Sequence, residues 1–167
     1  GADMEAVAGR LLIERQQTVA LAESCTGGLI ASRMTDVPGS SQYFLTSAVT
    51  YADAAKEQLL GVRRQSLVDH GAVSETVALE MAHGVRRISG ATYGLSTSGI
   101  AGPDGGSAEK PVGTVCIALV RPDGEYVRRF YFPFPRRSMN KEIFAVTAME
   151  LLRRKLSNLP LQAPRRK

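Results

Sequence analysis

Residues 18–35, TVALAESCTGGLIASRMT, constrain the fold more than any other segment. TVALA is a continuous apolar run, too short for a helix and suited to a strand buried on both faces. A glycine pair then breaks the chain, and LIASRMTDV carries apolar residues at helical spacing until Pro38-Gly39. A helical pattern, MEAVAGRLLIERQQ, covers about 4–16 before it. A strand with no polar face, set between two helices, belongs inside a sheet covered by helices.

The remaining chain extends this alternation. TSAVTY (46–51) reads as a second strand, ADAAKEQLL as a short helix ended by Gly61, and Ser74 as the cap of a helix reaching about residue 89. His70, in VDHGAV, falls in a loop by this reading. ATYGLSTSG is a third strand, while VGTVCIALV and EYVRRFYF flank the turn signal Arg-Pro-Asp-Gly and form an antiparallel hairpin. SMNKEIFAVTAMELLRRKL closes the series as a helix, and no internal repeat is visible. The expectation is an α/β fold: a single three-layer domain over residues 1–156, its mixed sheet ending in a late antiparallel hairpin and covered by helices. A basic, flexible tail is expected over 157–167.

Composition narrows the class. At 167 residues a domain buries roughly 70% of the surface its unfolded chain exposes, enough to shape a cleft. Hydrophobic residues make up 44% and charged residues 22%, and no apolar stretch approaches the roughly 20 residues that span a bilayer. No charged start followed by an apolar core marks export. Two cysteines, Cys25 and Cys116, suit a reducing compartment better than a disulfide framework. A cytoplasmic protein without membrane partners is expected. The net charge of +5 comes from the C-terminal end: Arg153, Arg154, Lys155, Arg165, Arg166 and Lys167 hold six of the 21 basic residues, leaving 15 against 16 acidic ones before them. A solvated end accounts for that better than a nucleic-acid arm.

Three clusters carry chemistry. ESCTGG matches neither phosphate-loop fingerprints nor the G-x-S-x-G elbow. A polar loop entering a helix through two glycines nevertheless presents backbone N–H groups to an anion or developing oxyanion; the plain alternative is that Ser24 or Thr26 simply caps the helix. Ser24, Cys25 and Thr26 all remain open as nucleophiles on this reading. Tyr51 and Lys56 straddle a strand-to-helix junction that aims both at one cleft or leaves Lys56 solvated. Only about 0.04% of an ordinary lysine is neutral at pH 7, so a lysine base needs its pKa lowered by about 3 units, a differential of about 4 kcal/mol. His70 and His83 have no metal-ligand spacing around them, and each suits a surface or packing role more than a catalytic one. TSGIAGPDGGSAEKPVG (97–113) is either a wide turn or a substrate flap whose glycines admit close approach and whose hydroxyls and Lys110 bind phosphate or ribose.

Taken together, AESCTGG (22–28), VTYADAAKEQLLGV (49–62), HGAVSE (70–75), SGIAGPDGG (98–106) and KPVGTV (110–115) resemble the CinA C-terminal domain family, the nicotinamide mononucleotide deamidases, in a stand-alone form. The resemblance implies an amidohydrolase that converts nicotinamide mononucleotide to nicotinic acid mononucleotide and ammonia in pyridine nucleotide salvage. It implies Ser24 as nucleophile and Lys56 as base, with Tyr51 relaying or orienting. It further assigns Thr26, Gly27 and Gly28 as oxyanion donors and Ser98, Gly99, Gly102, Gly105, Gly106 and Lys110 as a cradle for the ribose phosphate. No cofactor or metal is required, the partner is a small nucleotide, and a homo-oligomer is expected. Where the family reads roughly F-x-G-D-R-x-x-[IV]-R, this chain has FPFPRRSMN, with Phe134-Pro135 in place of Gly-Asp. That puts Arg136 on the first arginine, as the substrate or phosphate arginine, and Asn140 on the second, with Arg137 an out-of-register substitute. Glu23 receives no role. The alternative function is a non-catalytic nucleotide sensor tied to competence or DNA damage, and a Cys25 hydrolase served by His70 or His83 is a third.

Overall fold

The computed structural model describes residues 3–161. Its elements run α1 (Met4–Arg15), β1 (Val19–Glu23), α2 (Leu29–Thr35), a 3-10 turn, β2 (Phe44–Val49), α3 (Asp53–Leu60), α4 (Arg64–His70), α5 (Glu75–Ser89), β3 (Tyr93–Gly99), β4 (Thr114–Arg121), β5 (Gly124–Tyr131) and α6 (Arg137–Leu156). The five strands form one mixed sheet in the order β2-β1-β3-β4-β5, with β2, β1 and β3 parallel and β4 and β5 antiparallel.

Side-chain size decides which helices cover which face. Strand residues alternate between faces, and Val19, Leu21, Tyr93, Leu95, Val115, Ile117 and Leu119 join α1, α2 and α6 in one large core. The opposite face carries small residues: Ala20 and Ala22 pack with α3 and α5, and Cys116 and Ala118 with α5. Small residues allow α5 to lie close against the strands. A Cβ on Gly94 would come 2.2 Å from the Ala82 carbonyl oxygen of α5, and Ser96 Oγ donates to the Ala78 carbonyl at 2.6 Å. Ser74 caps α5 by accepting from the Val77 N–H, and Gly61 ends α3 at a positive φ of 70°.

Four sequence readings shift. The second strand begins at Phe44 and ends at Val49, because Thr50 and Tyr51 leave the ladder and turn their carbonyls toward Lys56. β1 extends to Glu23, which still pairs with Val49 and Thr97. His70 closes a short helix, α4, rather than lying in a loop. At the far end, Leu161 rests against the main core, so packing continues past residue 156; residues 162–167 of the expected flexible tail lie outside the described residues. Among the described residues, no helix is long and apolar enough to cross a membrane.

Chain direction places a crevice at one point of the sheet. From β1 the chain passes through α2 to β2 on one side, whereas from β3 it passes through the 100–113 loop to β4 on the other. The carboxyl ends of β1 and β3 are where such connections diverge, and ligands of open α/β sheets bind there.

Candidate active site

Ser24 leaves the end of β1 at this point, its N–H bonded to the Thr97 carbonyl of β3 at 3.1 Å. Lys56 comes from α3, and its side chain is only 1% exposed. Its Nζ lies 3.0 Å from Ser24 Oγ, 2.7 Å from the Thr50 carbonyl and 3.1 Å from the Tyr51 carbonyl. Burial lowers the lysine pKa, against smaller opposing effects from Asp53 and Cys25. Desolvation is the cause that favours the neutral amine, and no neighbouring cation contributes to the shift.

A cavity of about 230 Å³ opens over this pair. Ser24, Lys56 and Tyr51 line it, as do Ser98, Gly99 and Gly105 of the third cluster. Ser98 Oγ donates to the Ala72 carbonyl and ties β3 to the loop before α5. Thus three segments spread over residues 24–105 meet at one crevice.

Other expected site residues lie elsewhere. Thr26, Gly27, Gly28, Gly102, Gly106, Lys110 and Arg136 do not line the cavity. Gly27 N–H closes a turn onto the Ser24 carbonyl, and the Thr26 hydroxyl points inward to Glu23 and Thr97. Lys110 Nζ donates to the His70 carbonyl, since the flap folds back over the end of α4. Arg136 is the N-cap residue of α6, whereas Arg137, the next residue, turns into the cavity. Arg137 donates to the Gly102 carbonyl at 2.7 Å and to the Tyr51 hydroxyl at 3.1 Å. The Tyr51 phenol, 63% exposed, is thus held by Arg137, and it is the backbone carbonyl of Tyr51 that meets Lys56. Gly102 matters here through its carbonyl. Asn140 is fully buried and donates to the Ala101 and Phe134 carbonyls, fastening the flap to the start of α6.

Neither histidine enters the cavity. His83 is exposed and pairs with Glu125, while His70 ends α4. Cys25 does line it, but burial pushes the thiol up to about 12, the wrong direction for a thiolate nucleophile. The Cys25 alternative thus lacks both its base and its activated form.

Glu23, to which the sequence assigns no role, has a definite place in the fold. Its carboxylate is fully buried and accepts from Thr26 Oγ1 at 2.7 Å, Ser47 Oγ at 2.8 Å, Ile30 N at 3.0 Å and Ala31 N at 3.2 Å. Neither Ser24 nor Thr26 caps α2 with its side chain; the N-cap residue is Gly28, at φ 98°, and the helix N–H groups are met by this carboxylate from the preceding strand. The E-x-x-T spacing within ESCTGG was the one available signal, since it lets a carboxylate at the strand end fold back over its own loop.

Comparison with known proteins gives the family and the fold. The pattern described as the CinA C-terminal domain matches residues 1–156. A CinA-like protein of Desulfosudis oleivorans is 61% identical over 156 residues, covering 93% of this chain and 38% of that protein. A CinA-like protein of Desulforapulum autotrophicum is 59% identical over 156 residues, covering 93% of this chain and 37% of that protein. The chain therefore spans well under half the length of these curated relatives. Among solved structures, the competence/damage inducible protein CihA from Agrobacterium tumefaciens superimposes with a TM-score of 0.86 at 39% identity, covering 94% of this chain and 97% of that one. The competence damage-inducible protein A (ComA) from Klebsiella pneumoniae does so with a TM-score of 0.89 at 32% identity, covering 94% and 97%.

Proposed function

We propose that this chain, which belongs to the CinA C-terminal domain family, is an amidohydrolase that converts nicotinamide mononucleotide to nicotinic acid mononucleotide and ammonia. The observation that carries the reading is the buried Lys56 Nζ 3.0 Å from Ser24 Oγ at the floor of a cavity. A neutral lysine amine has two N–H donors and one lone pair. The Thr50 and Tyr51 carbonyls take the two donors, so the lone pair faces Ser24 and accepts its hydroxyl proton.

In the proposed reaction Ser24 Oγ bonds to the carboxamide carbon as its proton passes to Lys56. The tetrahedral intermediate breaks its C–N bond, Lys56 returns the proton to the departing ammonia, and an ester on Ser24 remains. Water then attacks the ester, giving a proton to Lys56, and Lys56 passes it to Ser24 Oγ as the acyl C–O bond breaks, which frees the acid and restores the Ser24 hydroxyl and the neutral amine. The amide carbon reacts while the phosphate only anchors, a role for which Arg137 is the suited group. It is the guanidinium on the cavity wall, and its present acceptors are neutral oxygens that a phosphate outcompetes.

Ammonia release from nicotinamide mononucleotide, measured beside nicotinamide and its riboside, tests the reading. Turnover is expected for the mononucleotide, with much poorer use of the riboside, and Arg137→Ala is expected to narrow that difference. Tight mononucleotide binding with no turnover would instead favour a nucleotide-sensing module.

A further inference from the structure

We infer that Glu23 is the positioning residue that holds Ser24 and Lys56 at reacting distance, an inference that rests on reading Ser24 as the nucleophile. The four donors on its carboxylate come from three separate elements: Thr26 from the nucleophile loop, Ile30 and Ala31 from the start of α2, and Ser47 from β2. Each oxygen receives two of them. Thr97 extends the network, its hydroxyl lying 2.9 Å from Thr26 Oγ1, while its carbonyl accepts the Ser24 N–H. The loop carrying Ser24 is therefore closed over a buried carboxylate.

The backbone of Glu23 reaches the other half of the pair. Its carbonyl accepts the Thr50 N–H at 3.0 Å, which sets the turn whose Thr50 and Tyr51 carbonyls hold Lys56 Nζ. One residue thus anchors the nucleophile through its side chain and the cage of the base through its main chain. Glu23 does not line the cavity. Its effect falls on the alignment of reacting groups, where an error near 1 Å lowers rate by about 10²-fold, and leaves substrate contacts in place. The carboxylate has no ion-pair partner among the described residues; the peptide dipoles of α2 and two hydroxyls hold its charge.

Glu23→Gln is the informative variant. It keeps the shape but turns one end into a donor, and the Ala31 and Ile30 N–H groups cannot reverse to accept. Ser47→Ala removes one of the four donors and leaves the charge in place. Two readouts separate this inference from the substrate assignment. The first is steady-state ammonia release from nicotinamide mononucleotide: Glu23→Gln is expected to lower kcat by at least about tenfold while KM moves by less than about threefold, with Ser47→Ala intermediate in kcat. The second is the rate at which phenylmethylsulfonyl fluoride sulfonylates Ser24, read by intact mass and needing no nucleotide; it is expected to fall by a similar factor per folded molecule.

Wild-type rates by both readouts in Glu23→Gln would overturn the inference, as would a change in KM alone. Should Glu23→Gln fail to fold, Ser47→Ala decides: unchanged kcat and unchanged sulfonylation would count against positioning. Slowed sulfonylation in the variants of a protein that releases no ammonia would sustain the role of Glu23 and remove nicotinamide mononucleotide as substrate. A wild-type Ser24 inert in both assays would end both readings.

Discussion

At the scale of single residues, burial shifts Lys56 toward its neutral form. Because burial lowers the Lys56 pKa, the base form grows as pH rises through that lowered value. The profile of kcat/KM against pH is expected to climb to a plateau before the ordinary lysine range near 10.4 and to fall away on the acid side. Folding stability has the same sign. The unfolded chain binds the Lys56 proton more tightly, so this contribution is fully present above the unfolded pKa and is lost as pH falls toward the folded one. Replacing Lys56 by Ala is expected to reduce kcat by about 10² to 10⁴-fold, the usual worth of a positioned base. Cys25→Ala is expected to retain activity, because the buried thiol only neighbours the pair. Rates of ammonia release from the two purified variants check both statements.

At the scale of elements, α5 and the flap show where sequence suffices and where it does not. The Ser74 cap, the Gly61 stop and the hairpin around Pro122-Asp123 were legible because each depends on neighbours within a few residues. Glu23 was not, because two of its donors sit on α2 and one on β2, 24 positions away. The choice between Arg136 and Arg137 was equally hidden: it turns on where α6 begins, and the first residue inside the helix faces the cavity. The placement of Lys110 was hidden as well, since its reach depends on how the flap folds over α4. Two substitutions test the packing of these elements. A Cβ on Gly84 of α5 would sit 2.0 Å from the Leu60 carbonyl oxygen, within the backbone of α3. Gly84→Ala is expected to destabilise by about 2–3 kcal/mol, or on the order of 5–10 °C in Tm by calorimetry. Asn140→Ala removes the donor to the buried Ala101 carbonyl and to the partly buried Phe134 carbonyl and frees the flap, so KM is expected to rise together with a loss of about 1–3 kcal/mol.

At the scale of the whole molecule, an uneven sheet explains why the site lies where it does. Bulky residues on one face carry α1, α2 and α6, small ones on the other admit α5, and the two connections leave β1 and β3 in opposite directions. The divergence opens a crevice at the carboxyl ends of both strands, and the chain sets the Ser24 loop there. Alternating strands and helices made this architecture readable from residue order alone. The crevice itself was not, since it joins Ser24, Lys56, Ser98 and Arg137 from distant parts of the chain. Whether Ser24 is the nucleophile of an amidohydrolase is decided by ammonia release from nicotinamide mononucleotide by Ser24→Ala beside the wild-type protein. Turnover is expected for the wild type and its loss, by about 10³-fold or more, in the variant; release at the wild-type rate by Ser24→Ala would rule that role out.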